Sequence, residues 1–427
     1  MNASRQDQNR IALQAGLTRN LLVIRAMAFF QVFMVIVPVA VPLFGDRGLD
    51  IAEILELQAV FGITVVIGEV PSGYVADLFG RRLALVLGAV CLGIGHTLLA
   101  FAHDFWGLAA FELALGVGVS LISGADVAVL YDSGIALGHD AERRQRGLGN
   151  LFFVKSIAEA GAGLAASLVL LVATLNELVL LQVAIGWLPL LCAWLIVDPP
   201  IERMPAGTHL DNLGGVLRAL FASGPVVRGT FLMMALWSLT TFYAVWLLQQ
   251  EWAEEGVSLS AFGVMWALLA VIAGFAGRHA AWLEARLGIA RLLLAVALLP
   301  ALGYFLLAAV GGAWALLVAP LFFVARGAGW VVLQEALNRR LDGSCRATAN
   351  SLVGFLFRGA YALTVPITGA LLRVWSLDAV LLVLGVATLG IFVTVVLPLV
   401  RTVRTLVPDL PETVPGSVAV ADPSAEG

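Results

Sequence analysis

Nine charged side chains lie inside long apolar runs of this 427-residue chain. A charge in the hydrocarbon core of a bilayer costs about 2.5–3.5 kcal/mol, so such residues usually pair with one another or take part in function. Their chemistry would be proton exchange on the carboxylates and anion binding on the cations. The four cations are Arg25, Lys155, Arg326 and Arg358, and the five acids are Glu69, Glu112, Asp126, Glu159 and Glu335.

The acids of the first half of the chain leave two interpretations open. Lys155 and Glu159 are four residues apart and share a helix face, so they can neutralise each other. Asp126 is either the partner of Lys155 or a second proton carrier. Because a low dielectric favours the neutral form of a carboxyl group, four acids are candidates for binding a coupling proton. These candidates are Glu159, Asp126, Glu69 and Glu112.

The cations of the second half also allow two interpretations. Glu335 lies about 14 Å from Arg326 along one helix, by the rise of about 1.5 Å per residue, and is a poor partner for it. Arg326 and Arg358 can clamp an anionic group of a substrate, which we favour slightly, or pair with acids of the first half as a gate. The full set of candidates for substrate contact is Arg25, Gln31, Lys155, Arg326, Gln334, Glu335, Arg358 and Tyr361.

The elements that must position these residues are membrane-spanning helices. The chain is 60% hydrophobic and 13% charged, against roughly 45–50% and 25% in soluble domains. A spanning helix needs about 20 apolar residues, and twelve such runs fill most of the chain. We predict spans at 20–44, 51–77, 82–102, 105–134, 148–173, 176–197, 225–250, 259–280, 290–310, 314–338, 346–371 and 377–400.

The arginines set the orientation of these spans. With both termini in the cytoplasm, the inner segments hold 19 of the 25 cationic residues and the outer loops hold only Arg47 and Arg373. This asymmetry follows the positive-inside rule. We therefore predict a cytoplasmic segment at 1–19, a six-helix bundle at 20–197, a cytoplasmic linker at 198–222, a second bundle at 223–400 and a disordered cytoplasmic tail at 401–427.

The loop between the second and third spans carries a dense motif, Gly-Tyr-Val-Ala-Asp-Leu-Phe-Gly-Arg-Arg, over residues 73–82. Gly73 allows close helix approach, and Gly80 permits a tight turn between antiparallel helices. Asp77 would lie beside the positive ends of neighbouring helices, where a carboxylate is favoured. Arg81 and Arg82 would anchor the inner face.

The Gly-x-x-x-Asp-x-x-Gly-Arg-Arg spacing resembles the signature loop of the major facilitator superfamily. The resemblance covers the whole membrane domain and implies an all-α fold of twelve helices in two pseudo-symmetric six-helix bundles. It also implies a conformational latch in which Asp77 and Arg81 join Asp132, at the inner end of the fourth span. The latch residues are Gly73, Asp77, Gly80, Arg81, Arg82 and Asp132.

Two features depart from the drug–proton antiporters of this family. Glu112 stands where those proteins often carry an Arg, four residues before Gly116-Val-Gly118. The fifth span has Gly161-Ala-Gly163 without the proline of their fifth-span motif. The segment from Asp198 to Arg203 resembles the family's usual end of the sixth span.

The sequence predicts a secondary active transporter of the bacterial inner membrane that moves a small organic solute by alternating access. The solute would be an anion, a zwitterion or an amphipathic metabolite or drug, with proton coupling and with export slightly favoured. The alternatives are an importer or uniporter of a specific metabolite or siderophore-like metal complex, and a non-transporting receptor or scaffold. No GxxxxGK[ST] run occurs. We predict no enzyme activity, cofactor, metal or nucleic-acid partner, and function as a monomer.

Overall fold

The computed structural model describes residues 2–200, 224–310, 315–338, 340 and 343–406. The side chain of Asp77, the predicted linker beyond residue 200 and the predicted tail beyond residue 406 lie outside the described residues. All regular elements in the described part are helices, and they form twelve units long and apolar enough to cross a membrane. The predicted twelve-helix fold is confirmed.

The first half contains spans 1–6. Span 1 comprises Asn2–Val32, a 3-10 turn at Val37–Val39 and Ala40–Asp46; span 2 is Ile51–Phe79; span 3 is Arg81–Phe101; span 4 comprises Phe105–Ile122 and Ala125–Ala136; span 5 is Ala141–Leu170; span 6 comprises Leu175–Gly186 and Leu188–Trp194. Helix already begins at Asn2, so the predicted polar segment 1–19 is continuous with span 1.

The second half contains spans 7–12. Span 7 is Pro225–Glu254; span 8 is Leu259–Arg278, followed by a short helix at Ala280–Leu287; span 9 is Ile289–Ala309; span 10 is Ala315–Asn338; span 11 is Gly343–Val374; span 12 comprises Leu377–Ile391, a π turn at Phe392–Val396 and Leu397–Leu406. The last helix therefore runs six residues past the predicted end of the second bundle.

Span 1 is interrupted at mid-depth, which the hydropathy pattern did not predict. Pro38 supplies no N–H, and a break in a spanning helix requires other partners for its backbone. The Val35 N–H donates to Gln182 Oε1 of span 6 at 2.8 Å, and the Val41 N–H donates to Gln249 Oε1 of span 7 at 3.1 Å. Both glutamines are fully buried. Two buried amides from different halves thus stabilise the break.

Span 4 is interrupted at Gly124, whose φ of +81° suits a glycine. The break makes Asp126 part of the first turn of the helix Ala125–Ala136. The positive end of a helix dipole stabilises a carboxylate at this position. Asp126 Oδ1 also accepts the Val127 N–H at 2.7 Å. These contacts explain how an acid that is only 3% exposed is accommodated.

The two halves meet at the end of the molecule that carries residues 46–50 and 374–376. We name this the outer end, following the predicted orientation. Spans 5 and 8 pack there through Gly163 and Gly263, where an ideal Cβ on Gly163 would lie 2.6 Å from the Gly263 carbonyl oxygen. Further towards the inner end, Gly149 and Gly274 of the same two spans have nothing within 4 Å of an ideal Cβ. The halves are therefore in close contact at the outer end, and these two glycines make no such contact further inward.

Spans 2 and 11 close the other side of the same end. Arg373 of span 11 donates to Glu56 of span 2 at 2.9 Å and lies 3.9 Å from Asp50. We call the contacts at Gly163–Gly263 and at Arg373–Glu56, together with the Gln249 bridge between spans 1 and 7, the outer seal. One hydrophobic core runs across this region and includes Phe44 of the first half and Trp252 of the second.

Candidate functional site

The residues of the latch that the 73–82 loop predicts lie at the inner end of the first half. Gly80 adopts φ +99° between spans 2 and 3, which directs Arg81 towards span 4. Arg81 forms an ion pair with Asp132, and both side chains are largely buried, at 23% and 16% exposure. The pair joins the span 2–3 turn to the end of span 4. Gly73 makes no close helix contact here, since nothing lies within 4 Å of its ideal Cβ.

Asp198, after the end of span 6, adds a contact to the turn between spans 2 and 3. Its Oδ1 accepts the Arg82 backbone N–H at 2.8 Å, so the carboxylate caps the first turn of span 3. The Arg82 guanidinium donates to the Trp194 carbonyl at 3.0 Å. A Cβ at Gly80 would lie 2.8 Å from Asp198 Oδ2. Gly80 is thus required both by its backbone conformation and by this carboxylate.

Sequence reasoning did not identify Asn20, which lies in the same region and is fully buried. Its amide nitrogen donates to Ser133 Oγ at 3.0 Å and to the Val197 carbonyl at 2.7 Å. Its amide oxygen accepts the Val197 N–H at 3.0 Å. One side chain therefore connects spans 1, 4 and 6. The signal in the sequence is a single Asn between Arg19 and an apolar run, which by itself is too common to be informative.

Lys155 pairs with Asp126 and not with Glu159. Lys155 Nζ of span 5 lies 2.9 Å from Asp126 Oδ2 of span 4. The sequence allowed either Glu159 or Asp126 as the partner of Lys155, and the structure forms the pair with Asp126. Glu159 is half-buried on span 5, one turn further towards the outer end. Its carboxylate has no ion-pair partner among the described residues.

Two further cations lie on helices that border the space between the halves. Arg358 of span 11 interacts electrostatically with Glu69 of span 2, so this cation faces an acid of the opposite half. Arg25 of span 1 is directed towards span 5, with its Nη2 3.9 Å from the ideal Cβ position of Gly147. Its Nε is buried and has no hydrogen-bond partner in the described part of the chain. The side-chain oxygen of Gln31 is likewise buried without a partner there.

Glu112 and Tyr361 meet near the outer seal. Glu112 Oε1 accepts a hydrogen bond from Gln58 Nε2 of span 2 at 2.8 Å. Tyr361, from the opposite half, donates its hydroxyl to the Leu55 carbonyl at 3.4 Å. Glu112 is 4% exposed and Tyr361 is 2% exposed. The structure thus brings a proton-coupling candidate and a substrate-contact candidate together across the interface.

The remaining candidates on span 10 lie apart from these groups. Arg326 lies on an exposed face of the helix, and Gln334 is half-buried. Glu335 is exposed at the inner end and lines a cavity of about 180 Å³ within the second half, together with Glu284 and Arg340. The structure therefore does not gather Glu335 with the interface cations.

The arrangement comprises two six-helix halves, a closed outer seal, the Arg81–Asp132 ion pair at the inner end and charged residues between the halves. These features define a helical membrane protein built from two halves. The sequence model of the Major Facilitator Superfamily matches residues 21–338. The chain belongs to the major facilitator superfamily, a family of transporters and not of enzymes, and it is a multi-pass membrane protein.

Curated relatives match over short stretches. An uncharacterized transporter of Buchnera aphidicola is 35% identical over 75 residues, 18% of this chain and 19% of that protein. Sugar transporter ERD6-like 2 of Arabidopsis thaliana is 37% identical over 78 residues, 18% of this chain and 17% of that protein. The matched part thus spans less than a fifth of either relative.

Solved structures match the fold over nearly the whole chain. A structure of the nucleoside transporter NupG has a TM-score of 0.71 at 14% identity and covers 90% of this chain and 99% of that one. A bacterial homologue of the lysosomal transporter Spinster, in an inward-facing and unoccupied conformation, has a TM-score of 0.70 at 16% identity and covers 91% and 97%. A D-xylose–proton symporter has a TM-score of 0.68 at 15% identity and covers 88% and 97%. At these identities the likeness concerns the fold alone.

Proposed function

We propose that this protein is a proton-coupled secondary transporter that exports a small organic anion or zwitterion across a bacterial inner membrane. The observation that carries the anionic preference is the buried Nε of Arg25, which has no partner in the described part of the chain. A guanidinium binds a carboxylate or phosphate through parallel hydrogen bonds. Arg25 thus has a donor available for a ligand entering between spans 1 and 5.

The charge balance around the interface supports this preference. Lys155 is neutralised by Asp126, and Arg358 faces Glu69 across the halves. Arg25 forms no ion pair among the described residues and is left to attract an anion. Glu159, also without an ion-pair partner there, supplies a carboxylate for the ammonium group of a zwitterion. An uncharged solute would use neither of these two groups.

Binding is tested by the thermal stability of the purified protein against a panel of organic anions, zwitterions, amines and neutral metabolites. A ligand at 100 times its dissociation constant stabilises the folded state by about 2.7 kcal/mol. We expect stabilising compounds to carry a carboxylate or phosphate and to lose their effect in Arg25→Gln. Arg228→Gln, on an exposed residue at the inner end of span 7, is the matched control. A panel that yields only amines, with unchanged affinity in Arg25→Gln, would contradict the proposal.

Proton coupling rests on the carboxyl groups at membrane depth, of which Glu159 is half-buried on span 5. In proteoliposomes with an imposed pH gradient, we expect solute movement against the proton flux in the wild type and its loss in Glu159→Gln. Indifference of both proteins to the gradient would exclude coupling. Export is supported by the short outer loops, by analogy with other bacterial members. Uptake by right-side-out vesicles, without efflux from loaded ones, would favour the importer instead.

A further inference from the structure

Glu112 lies in an enclosed position of the first half. It is 4% exposed, and its partner Gln58 is 7% exposed. Each residue lies seven positions in from the outer start of its helix, Phe105 for span 4 and Ile51 for span 2, about 10 Å at the usual helical rise. The pair is therefore well below the outer surface but close to the outer seal.

The cover over this pair comes from the opposite half. Tyr361 of span 11 donates its hydroxyl to the carbonyl of Leu55, one turn before Gln58. Its hydroxyl also interacts electrostatically with Glu112. Phe242 and Tyr243 of span 7 pack against the Tyr361 ring at centroid distances of 4.8 and 5.0 Å. Separation of the halves at the outer seal would withdraw this cover and admit water to Glu112.

The surroundings of Glu112 offer little to an ionised carboxylate. Span 2 contributes Gln58 and span 11 contributes Tyr361. Tyr243 of span 7 packs on Tyr361, and the buried His96 of span 3 packs on Phe111, the residue before Glu112. Glu112 has no ion-pair partner within the described part of the chain. A buried charge with one neutral hydrogen bond is strongly disfavoured, whereas the neutral acid is readily accommodated. Closure of the outer seal over Glu112 therefore favours its protonated form.

We propose that Glu112 binds a proton from the outer side when the halves part, and that this proton permits spans 2 and 11 to close. The proton adds to a carboxylate oxygen and gives a neutral acid, and no other group changes its charge. Tyr361 is a positioning residue that covers the site. The inference rests on the proposed proton-coupled transport and assigns one group and one step to it.

The sign of the pH dependence follows from linkage. The closed seal binds the Glu112 proton more tightly than the open one, so closure is favoured at low pH and is lost as pH rises. A single linked proton changes the closed-to-open ratio by at most about tenfold per pH unit. The acids of the outer seal, Asp50 and Glu56, face Arg373 and provide the competing pH effect that the experiment must separate.

The experiment measures the distance between the halves at the outer end, in the full chain without substrate, by pulsed electron paramagnetic resonance. Spin labels at Val172→Cys and Val374→Cys, which are 90% and 79% exposed, report the two halves. The native Cys91, Cys192 and Cys345 are first replaced by serine. We expect the long-distance population of the wild type to grow as pH rises, by up to about tenfold per unit, and Glu112→Gln to stay closed at every pH.

Three further variants keep the result decisive. Glu56→Gln weakens the seal but should retain the pH slope, and His96→Gln should retain it as well. Gln58→Leu removes the hydrogen bond to the carboxylate, so the neutral acid is favoured further and the midpoint of the pH profile should move to higher pH. If Glu112→Gln fails to fold, the shift of the midpoint in Gln58→Leu still tests the proposal.

A distance distribution that does not change with pH in the wild type would overturn the assignment. The same pH dependence of the closed-to-open ratio in Glu112→Gln as in the wild type would also overturn it. So would an unmoved midpoint in Gln58→Leu. Because no solute is present, the outcome does not depend on identifying the substrate. Transport driven by a pH gradient together with a pH-independent seal would refute the role of Glu112 and leave the proposed function standing.

Discussion

The contact between spans 5 and 8 makes a sharp prediction about the outer seal. In Gly163→Ala the added Cβ would lie 2.6 Å from the Gly263 carbonyl oxygen and 3.1 Å from the Ala267 nitrogen. Carbon–oxygen contacts of this kind normally lie at about 3.3–3.6 Å. Because both neighbours are backbone atoms that cannot turn aside, the two helices must move apart by about 1 Å. The closed state is destabilised, whereas a state with separated helices is not.

The magnitude follows from the known effect of overpacking. An added methyl group in a well-packed interface costs about 1–3 kcal/mol. At 1.4 kcal/mol per factor of ten, the ratio of closed to open molecules should fall by about 5- to 140-fold. Ser167, one turn along span 5, donates its hydroxyl to the Ser260 carbonyl, so the same displacement also strains this hydrogen bond. Both contacts therefore predict a larger population of open molecules in Gly163→Ala.

The assay uses the spin-label pair at Val172 and Val374. We expect Gly163→Ala to show a larger long-distance population than the parent at one fixed pH. Gly390→Ala is the matched control, because its ideal Cβ on span 12 has nothing within 4 Å and the gain in helix propensity is the same. An unchanged distance distribution in folded Gly163→Ala would refute the reasoning, and so would an equal change in Gly390→Ala.

Three other perturbations test the network. Asn20→Ala removes three buried hydrogen bonds. Each buried group left unpaired costs about 1–3 kcal/mol, so the apparent melting temperature should fall by several degrees. An unchanged melting temperature would contradict the structural role of Asn20. Asp132→Asn should destabilise the inner end, and exchanging the charges in Arg81→Asp with Asp132→Arg should restore part of the loss; no recovery in a double-mutant cycle would argue against the pair. Gln249→Leu leaves the Val41 N–H without its acceptor and should increase the open population in the spin-label assay; a more closed seal would contradict the bridge.

Membrane insertion and the number of helices could be predicted from the sequence because they depend on local properties. Apolar runs of about 20 residues must cross the bilayer as helices whatever they pack against. The latch pair of Arg81 and Asp132 was implied by a motif at a fixed position in the chain, and the structure forms the pair. The interruption of span 1 was missed because Pro38 alone does not end a span. Its acceptable geometry depends on Gln182 and Gln249, far away in sequence.

Partners among the buried charges depend on how the helices are aligned, and periodicity does not specify that alignment. Lys155 and Glu159 share a helix face, yet Lys155 pairs with Asp126, which is 29 residues away. Glu112 bonds Gln58 across 54 residues, and Tyr361 reaches Leu55 across 306. Asn20 joins residues 113 and 177 positions away. The sequence alone determined a twelve-span membrane protein, and it predicted nine charges inside those spans, because the bilayer acts on each segment separately. Only the tertiary structure decided which charges are neutralised, because that depends on the relative depth and rotation of helices that pack from distant parts of the chain.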